Sequence, residues 1–171
     1  MIDGVTGDPA SCSQLGGALR SQAARLLADR SGADGPLTAL ERDPAPLAST
    51  GRARRDVQLL DTIVERLDAA GAVLQQYAQE LALVAEGTRQ LEVAAARAGL
   101  ELDGLRVVEP WGVAPAEAAA RRQSALPELQ MRAERLAGQL GRARAAVQRS
   151  IGPSTEVLAR AAATARESLG D

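Results

Sequence analysis

The sequence is almost without aromatic residues and entirely without histidine and lysine. It has one Trp, one Tyr and no Phe among 171 residues, and all 20 basic residues are Arg. Large β-sandwiches and barrels fill their pleated faces with aromatic and β-branched side chains, so this composition argues against them. Without His or Lys the chain cannot form a Ser–His–Asp triad, an HExxH zinc site or a Walker phosphate loop. The composition therefore argues against an enzyme.

Cysteine and long apolar runs are also scarce. The one Cys, Cys12, excludes an intramolecular disulfide and a cysteine-cluster metal site. The N-terminal stretch carries Asp3 and Asp8 and lacks the basic start and apolar run of a signal peptide. No segment approaches the roughly 20 apolar residues of a membrane span. We expect no catalytic residue, cofactor, metal or small-molecule substrate, no membrane span, and a cytoplasmic protein unless a signal-peptide-independent route exports it.

What the sequence does have is apolar residues at helical spacing, most clearly over residues 53–99. Gly99 marks the end of this segment, and no Pro interrupts it. A helix of that length does not fit a compact globule of this size. The pattern predicts an all-α fold, an elongated antiparallel helical hairpin or bundle of about four helices. Two sets of residues merge into one wide apolar stripe: Val57, Leu60, Val64, Leu67, Gly71, Leu74, Ala78, Leu81 and Ala85, and Ile63, Ala70, Tyr77, Val84, Leu91 and Ala98.

The N-terminal part of the chain is expected to form the helical hairpin, over residues 9–100. Residues 1–8 form a tail in which Asp8 caps the first helix, and Pro9 occupies the first helical position. The first helix is expected to end near Arg30. A loop over residues 31–51 follows, because three prolines interrupt it: Pro36, Pro44 and Pro46.

The C-terminal part predicts a second helical pair that packs on the hairpin. Residues 101–114 are expected to form a connecting loop, after which Pro115 begins the region 115–171. Pro127 kinks this region or starts a further helix within it, and Gly152-Pro153 divides it into two helices.

The two long helical regions carry unequal charge. Residues 56–103 hold nine acidic and three basic residues, whereas residues 115–151 hold three acidic residues and seven Arg. Antiparallel packing would bring the acidic flank to the basic one. The Arg-rich stretch 121–149 could also bind nucleic acid, but the pI of about 5.3 and the lack of interleaved aromatics argue against it.

Trp111 is the one large aromatic residue in a turn, and it allows two interpretations. The side chain is a plug over the end of the bundle, or it is an anchor that faces a partner. The carboxylates of the same loop, Glu101, Asp103 and Glu109, do not have the spacing of a calcium-binding loop. The sequence leaves both interpretations of Trp111 open.

Two stretches of residues 7–99 resemble the WXG100-like helical-hairpin proteins of actinobacterial type VII secretion. One is LGGALRSQAARL at residues 15–26, after Gly7-Asp8-Pro9, and the other is LDAAGAVLQQYAQEL at residues 67–81. The chain departs from the family pattern at two points. It has Ser49-Thr50-Gly51 where the family carries Trp-x-Gly at its turn, and Tyr77 precedes Glu80 by one residue fewer than in the Tyr-x-x-x-Asp/Glu export signal.

The resemblance implies a non-enzymatic protein–protein interaction module, a component, substrate or chaperone-like partner of a type VII secretion system. It would act by helix packing in a hetero- or homodimer. Two alternatives remain, a cytoplasmic coiled-coil adaptor unrelated to secretion and a nucleic-acid-associated protein that uses residues 121–149. The residues expected to make the interaction are Leu60, Leu67, Leu74, Tyr77 and Leu81 for packing, and Trp111 as the anchor.

Overall fold

The computed structural model describes the backbone of residues 7–42 and 47–170, with the side chains of these residues apart from 33–37, 39–42, 47–50 and 167–170. Three helices account for most of them: α1 (Pro9–Arg42), α2 (Leu47–Ala98) and α3 (Ala116–Gly170). Between α2 and α3 lie two antiparallel strands, β1 (Glu101–Asp103) and β2 (Arg106–Val108). The prediction of a mostly helical protein is confirmed, but the expected number of about four helices is not.

The predicted loop over residues 31–51 is helical wherever the structure describes it. Residues 31–42 continue α1 through Pro36, and residues 47–51 begin α2. Pro44 and Pro46 lie outside the described residues, as do residues 1–6 of the predicted tail. Proline disfavours a helical conformation in the preceding residue, partly because the proline ring clashes with the Cβ of that residue. Gly35 has no Cβ, so this part of the penalty is absent at Pro36.

The predicted C-terminal pair is a single helix, and the expected break at Gly152-Pro153 is wrong. Helix α3 passes through both Pro127 and Pro153. A second Gly-Pro pair again spares the Cβ clash at residue 152. At Pro127 the neighbouring side chains of Leu126 and Leu129 pack into a hydrophobic cluster, which offsets the lost backbone hydrogen bond.

The helix starts and stops that depend on local capping are confirmed. The Asp8 carboxylate accepts hydrogen bonds from the backbone N–H groups of Ala10 (3.2 Å) and Ser11 (2.9 Å), and α1 begins at Pro9. The hydroxyl of Ser11 donates a further bond of 2.6 Å to the same carboxylate. Together these bonds hold the pKa of Asp8 below its ordinary value, the side-chain bond from Ser11 being the largest cause.

The chain divides into two compact units, and each helix contributes to both. Unit 1 contains Gln76–Ala146 and the start of the chain up to Cys12, and unit 2 contains Ser13–Gln75 and Val147–Asp171. The core of unit 1 contains buried Leu and Val side chains together with Ala. Most of its buried hydrophobic residues form two clusters: Leu91, Ala95, Leu100, Val107, Leu129 and Ala133 in the first, and Leu81, Val84 and Leu140 in the second.

Unit 2 buries mainly small residues. Among its described residues, the buried side chains besides Leu74 are those of Ala23, Ala70, Ser154 and Ala161. Helices α1 and α2 approach closely at two glycines, where a Cβ added to Gly16 would lie 2.7 Å from the carbonyl oxygen of Gly71. Arg20 pairs with Asp68 at 3.0 Å and Arg30 with Asp61 at 2.7 Å. Residue numbers thus rise along α1 as they fall along α2.

Candidate interaction surface

Helix α2 ends at a position with a left-handed backbone conformation, which glycine adopts readily. Gly99 has a φ of +76°, and its N–H donates to the carbonyl of Ala96 while that of Leu100 donates to Ala95. This pair of bonds is a Schellman motif, which reverses the chain direction at the helix end. Leu100 and Ala95 are both buried in the first cluster, so the motif also carries its usual hydrophobic contact.

A short β-hairpin follows directly and packs back on unit 1. Glu101 is opposite Val108 and Asp103 is opposite Arg106, which leaves Gly104 and Leu105 as a two-residue loop. The φ of +60° at Gly104, the first loop position, is typical of a type II′ turn. Val107 is buried in the first cluster and its N–H donates to the side-chain oxygen of Gln130 on α3 at 3.1 Å. The hairpin is therefore anchored to α3, whereas the sequence predicted only a connecting loop here.

The segment after the β-hairpin presents its apolar side chains to solvent. Trp111 and Val113 are both fully exposed, so neither side chain is packed against the rest of the chain. Pro110 restricts the backbone before Trp111, and Gly112 has a φ of +125°, which L side chains rarely adopt. The interpretation of Trp111 as a plug over the end of the bundle is wrong. We call residues 101–113 the Trp111 loop.

The other predicted interaction residues lie on α2 at different depths. Leu81 is completely buried and Leu74 is 9% exposed, so both pack within the chain. Leu60 and Leu67 are half-buried in unit 2, and Tyr77 is half-buried beside the second cluster of unit 1. The structure therefore separates the set into internal packing residues and the isolated Trp111.

A basic groove runs between α2 and α3 in unit 1. It has two adjoining parts, with cavity volumes of about 450 Å³ and 200 Å³, which share Gln90 and Arg132. Apolar side chains of Val93, Ala94 and Leu136 line it beside the charged ones. We call it the arginine groove after the four residues Arg89, Arg97, Arg132 and Arg135.

Close packing and one carboxylate shape this groove. A Cβ on Gly87 would lie 2.6 Å from a methyl carbon of Leu136, so glycine there lets α3 approach α2. Glu86 pairs with Arg89 at 2.6 Å and accepts a bond of 3.0 Å from the Gln90 amide. The hydrogen bond from Gln90, followed by the contact with Arg89, lowers the pKa of Glu86.

The sequence analysis did not predict the arginine groove, although it named two of its four arginines. It singled out Arg132 and Arg135 as part of the Arg-rich stretch 121–149 but treated α2 as the acidic flank, and so missed Arg89 and Arg97. They are eight residues apart, which is about 80° around a helix of 3.6 residues per turn, so both can belong to one wide face of α2. Two carboxylates of the acidic α2, Asp61 and Asp68, pair with arginines of α1 and not with the basic α3 as expected.

Other expectations about this chain concern metals and membranes. Within the described residues there is no group of three or more Cys, Asp or Glu side chains placed to hold a metal ion. Among the helices of residues 7–42 and 47–170, none is both long enough and apolar enough to cross a membrane.

Comparisons of the chain with family models, curated proteins and solved structures give no match.

Proposed function

We propose that the protein is a non-enzymatic interaction module that binds another protein through the Trp111 loop. The observation that carries the proposal is the exposure of Trp111 and Val113, two large apolar side chains in the segment that follows an anchored β-hairpin. Exposed apolar clusters on otherwise polar surfaces mark interaction sites, and Trp is the residue most enriched at binding hot spots.

Within that proposal we favour the WXG100-like class, a component, substrate or chaperone-like partner of a type VII secretion system. Two features support this choice: the Ala- and Leu-rich segments at residues 15–26 and 67–81, and the opposite order of the contacts between α1 and α2 in unit 2. In this proposal the paired segments of α1 and α2 are the helical hairpin of that class, and export occurs without a signal peptide.

Affinity purification from the native host, followed by mass spectrometry, tests the proposal. We expect wild-type protein to recover a defined partner and Trp111→Ala to lose it, because truncation of a Trp hot spot typically costs about 2 kcal/mol of binding or more, roughly thirtyfold in affinity. The matched control is Leu15→Ala, which truncates an apolar side chain that is 54% exposed in unit 2. It should retain the partner.

The identity of what is recovered separates the remaining alternatives. A secretion ATPase or another component of that machinery supports the secretion role, and a Trp111-dependent partner from elsewhere in the cell supports the adaptor alternative. Equal recovery by wild type and Trp111→Ala would contradict the proposal. Recovery of DNA or RNA whose binding falls steeply with salt would favour the nucleic-acid alternative instead.

A further inference from the structure

The arginine groove of unit 1 has an excess of positive charge at its surface. Four guanidinium groups line its two parts, and Glu86 is the one carboxylate among the lining side chains. Glu86 pairs with Arg89, and no ion pair joins Arg97 or Arg132 to another described residue. Guanidinium groups with no carboxylate partner favour an acidic ligand, which they bind by paired hydrogen bonds.

The Trp111 loop of the same unit has the opposite charge. Its carboxylates on Glu101, Asp103 and Glu109 are all exposed, and its one cation, Arg106, is opposite Asp103 in the strand pair. Trp111 and Val113 add two fully exposed apolar side chains to this acidic segment. The loop therefore combines negative charge with exposed apolar side chains, the two properties that a basic groove with an apolar lining would bind.

The groove matches this loop in chemistry as well as in charge. Its larger part, of about 450 Å³, places Val93 and Ala94 beside Arg89, Arg97 and Arg132. An indole ring binds favourably against apolar groups, and its face attracts a guanidinium through the cation–π interaction. Trp111 does not occupy the groove of its own chain, because its ring is fully exposed.

The same features disfavour a phosphate polymer as the occupant. Neither part of the groove is lined by an aromatic side chain on which a base could stack. We propose that the arginine groove binds the Trp111 loop of a second copy of this chain. The inference rests on the proposed function in one respect, that the Trp111 loop is an interaction element.

Sedimentation velocity over a range of protein concentrations, with the emission of the only Trp followed in parallel, tests this inference. We expect concentration-dependent association, accompanied by a blue shift as Trp111 leaves water. Trp111→Ala should weaken association roughly thirtyfold. Added salt should also weaken it, because the charges at the edges of the groove are exposed to solvent.

Two charge reversals identify the surfaces that meet. Arg97→Glu with Arg132→Glu reverses the groove, and Glu101→Arg with Glu109→Arg reverses the loop. Each double variant alone should be a monomer, because its loop and groove then carry the same sign. A mixture of the two should associate, since the basic loop of one chain meets the acidic groove of the other. Arg25→Glu with Arg66→Glu, at exposed positions of unit 2, is the matched control and should associate as wild type does.

Several outcomes would overturn the inference. A wild-type chain that stays monomeric with unshifted Trp emission would do so, as would a folded mixture of the two reversed variants that fails to associate. If the groove reversal lowers the helix content, Arg97→Gln replaces it, and undiminished association of that variant would count against the inference. A monomeric chain that still captures a host partner through Trp111 would leave the proposed function standing. Self-association through Trp111 in a chain that captures no host partner would support this inference and count against the proposed function.

Discussion

The close approach of α1 and α2 at Gly16 and Gly71 can be tested by adding a single methyl group. A Cβ on Gly71 would lie 2.6 Å from the carbonyl oxygen of Gly16 and 2.5 Å from Cγ of Arg20. The Arg20 side chain can rotate away, but the carbonyl oxygen belongs to the backbone of α1. Gly71→Ala therefore forces the two helices apart.

The magnitude follows from comparison with a helical glycine in open space. Gly32 lies in α1, in the same unit, with no atom within 4 Å of an added Cβ. Both substitutions gain the helix propensity of Ala over Gly, up to about 1 kcal/mol. That gain is common to both, so the difference between the variants is the overpacking cost, about 1–3 kcal/mol. We expect Gly32→Ala to be more stable than wild type, and Gly71→Ala to be less stable than Gly32→Ala by this amount.

Urea unfolding followed by circular dichroism at 222 nm measures both variants against wild type. The size of the helix signal before unfolding shows whether each variant remains folded. If Gly71→Ala stabilised the protein as much as Gly32→Ala does, an added Cβ at Gly71 would have no overpacking cost. The close approach of α1 and α2 at Gly71 would then be refuted.

Three further predictions concern single side chains. Leu81→Ala should cost about 2–5 kcal/mol in urea unfolding because Leu81 is completely buried, whereas Leu83→Ala, at a side chain 60% exposed, should be close to neutral. Leu74→Asp should cost at least about 3 kcal/mol, since its charge would have no partner at a position 9% exposed, and an unchanged melting temperature would contradict that burial. The pKa of Asp8 is lowered by its capping bonds, so its stabilisation is present above the unfolded pKa of about 3.9 and is lost as the pH falls through the folded value. The melting temperature of Asp8→Ala should therefore fall less than that of the wild type as the pH is lowered. An identical fall in both proteins would argue against the cap.

The sequence predicts well what short-range chemistry determines. The cap at Asp8, the stop at Gly99 and the helical period of residues 53–99 all depend on neighbours within a turn or two, and the structure has each of them. The continuity of α3 through Pro127 and Pro153 depends instead on packing and on the glycine before Pro153, which a residue-by-residue rule does not weigh. The β-hairpin at residues 101–108 had a signal in Asp103-Gly104 followed by apolar residues, but its strands have only three residues each.

The candidate surface was predictable only in part for a related reason. Trp111 stands out in any reading of this composition, yet its exposure depends on how the β-hairpin is anchored by Val107 and Gln130. The arginine groove requires α2 and α3 to lie side by side, because two of its arginines come from each helix. A pattern along one helix shows which residues share a side of it, and only the tertiary structure shows what lies across from that side.

The different cores of the two units lead to a prediction within a single helix. Between residues 81 and 95, α2 buries Leu81, Val84 and Leu91 completely, whereas no described side chain between residues 57 and 67 is buried. Local opening costs less where few apolar contacts must be broken. Native-state hydrogen exchange should therefore show slower exchange for backbone amides of residues 81–95 than for those of residues 57–67. Since both segments belong to one continuous helix, helix length does not explain such a difference. Equal protection along α2 would mean that the buried Leu and Val residues of unit 1 do not set its local stability.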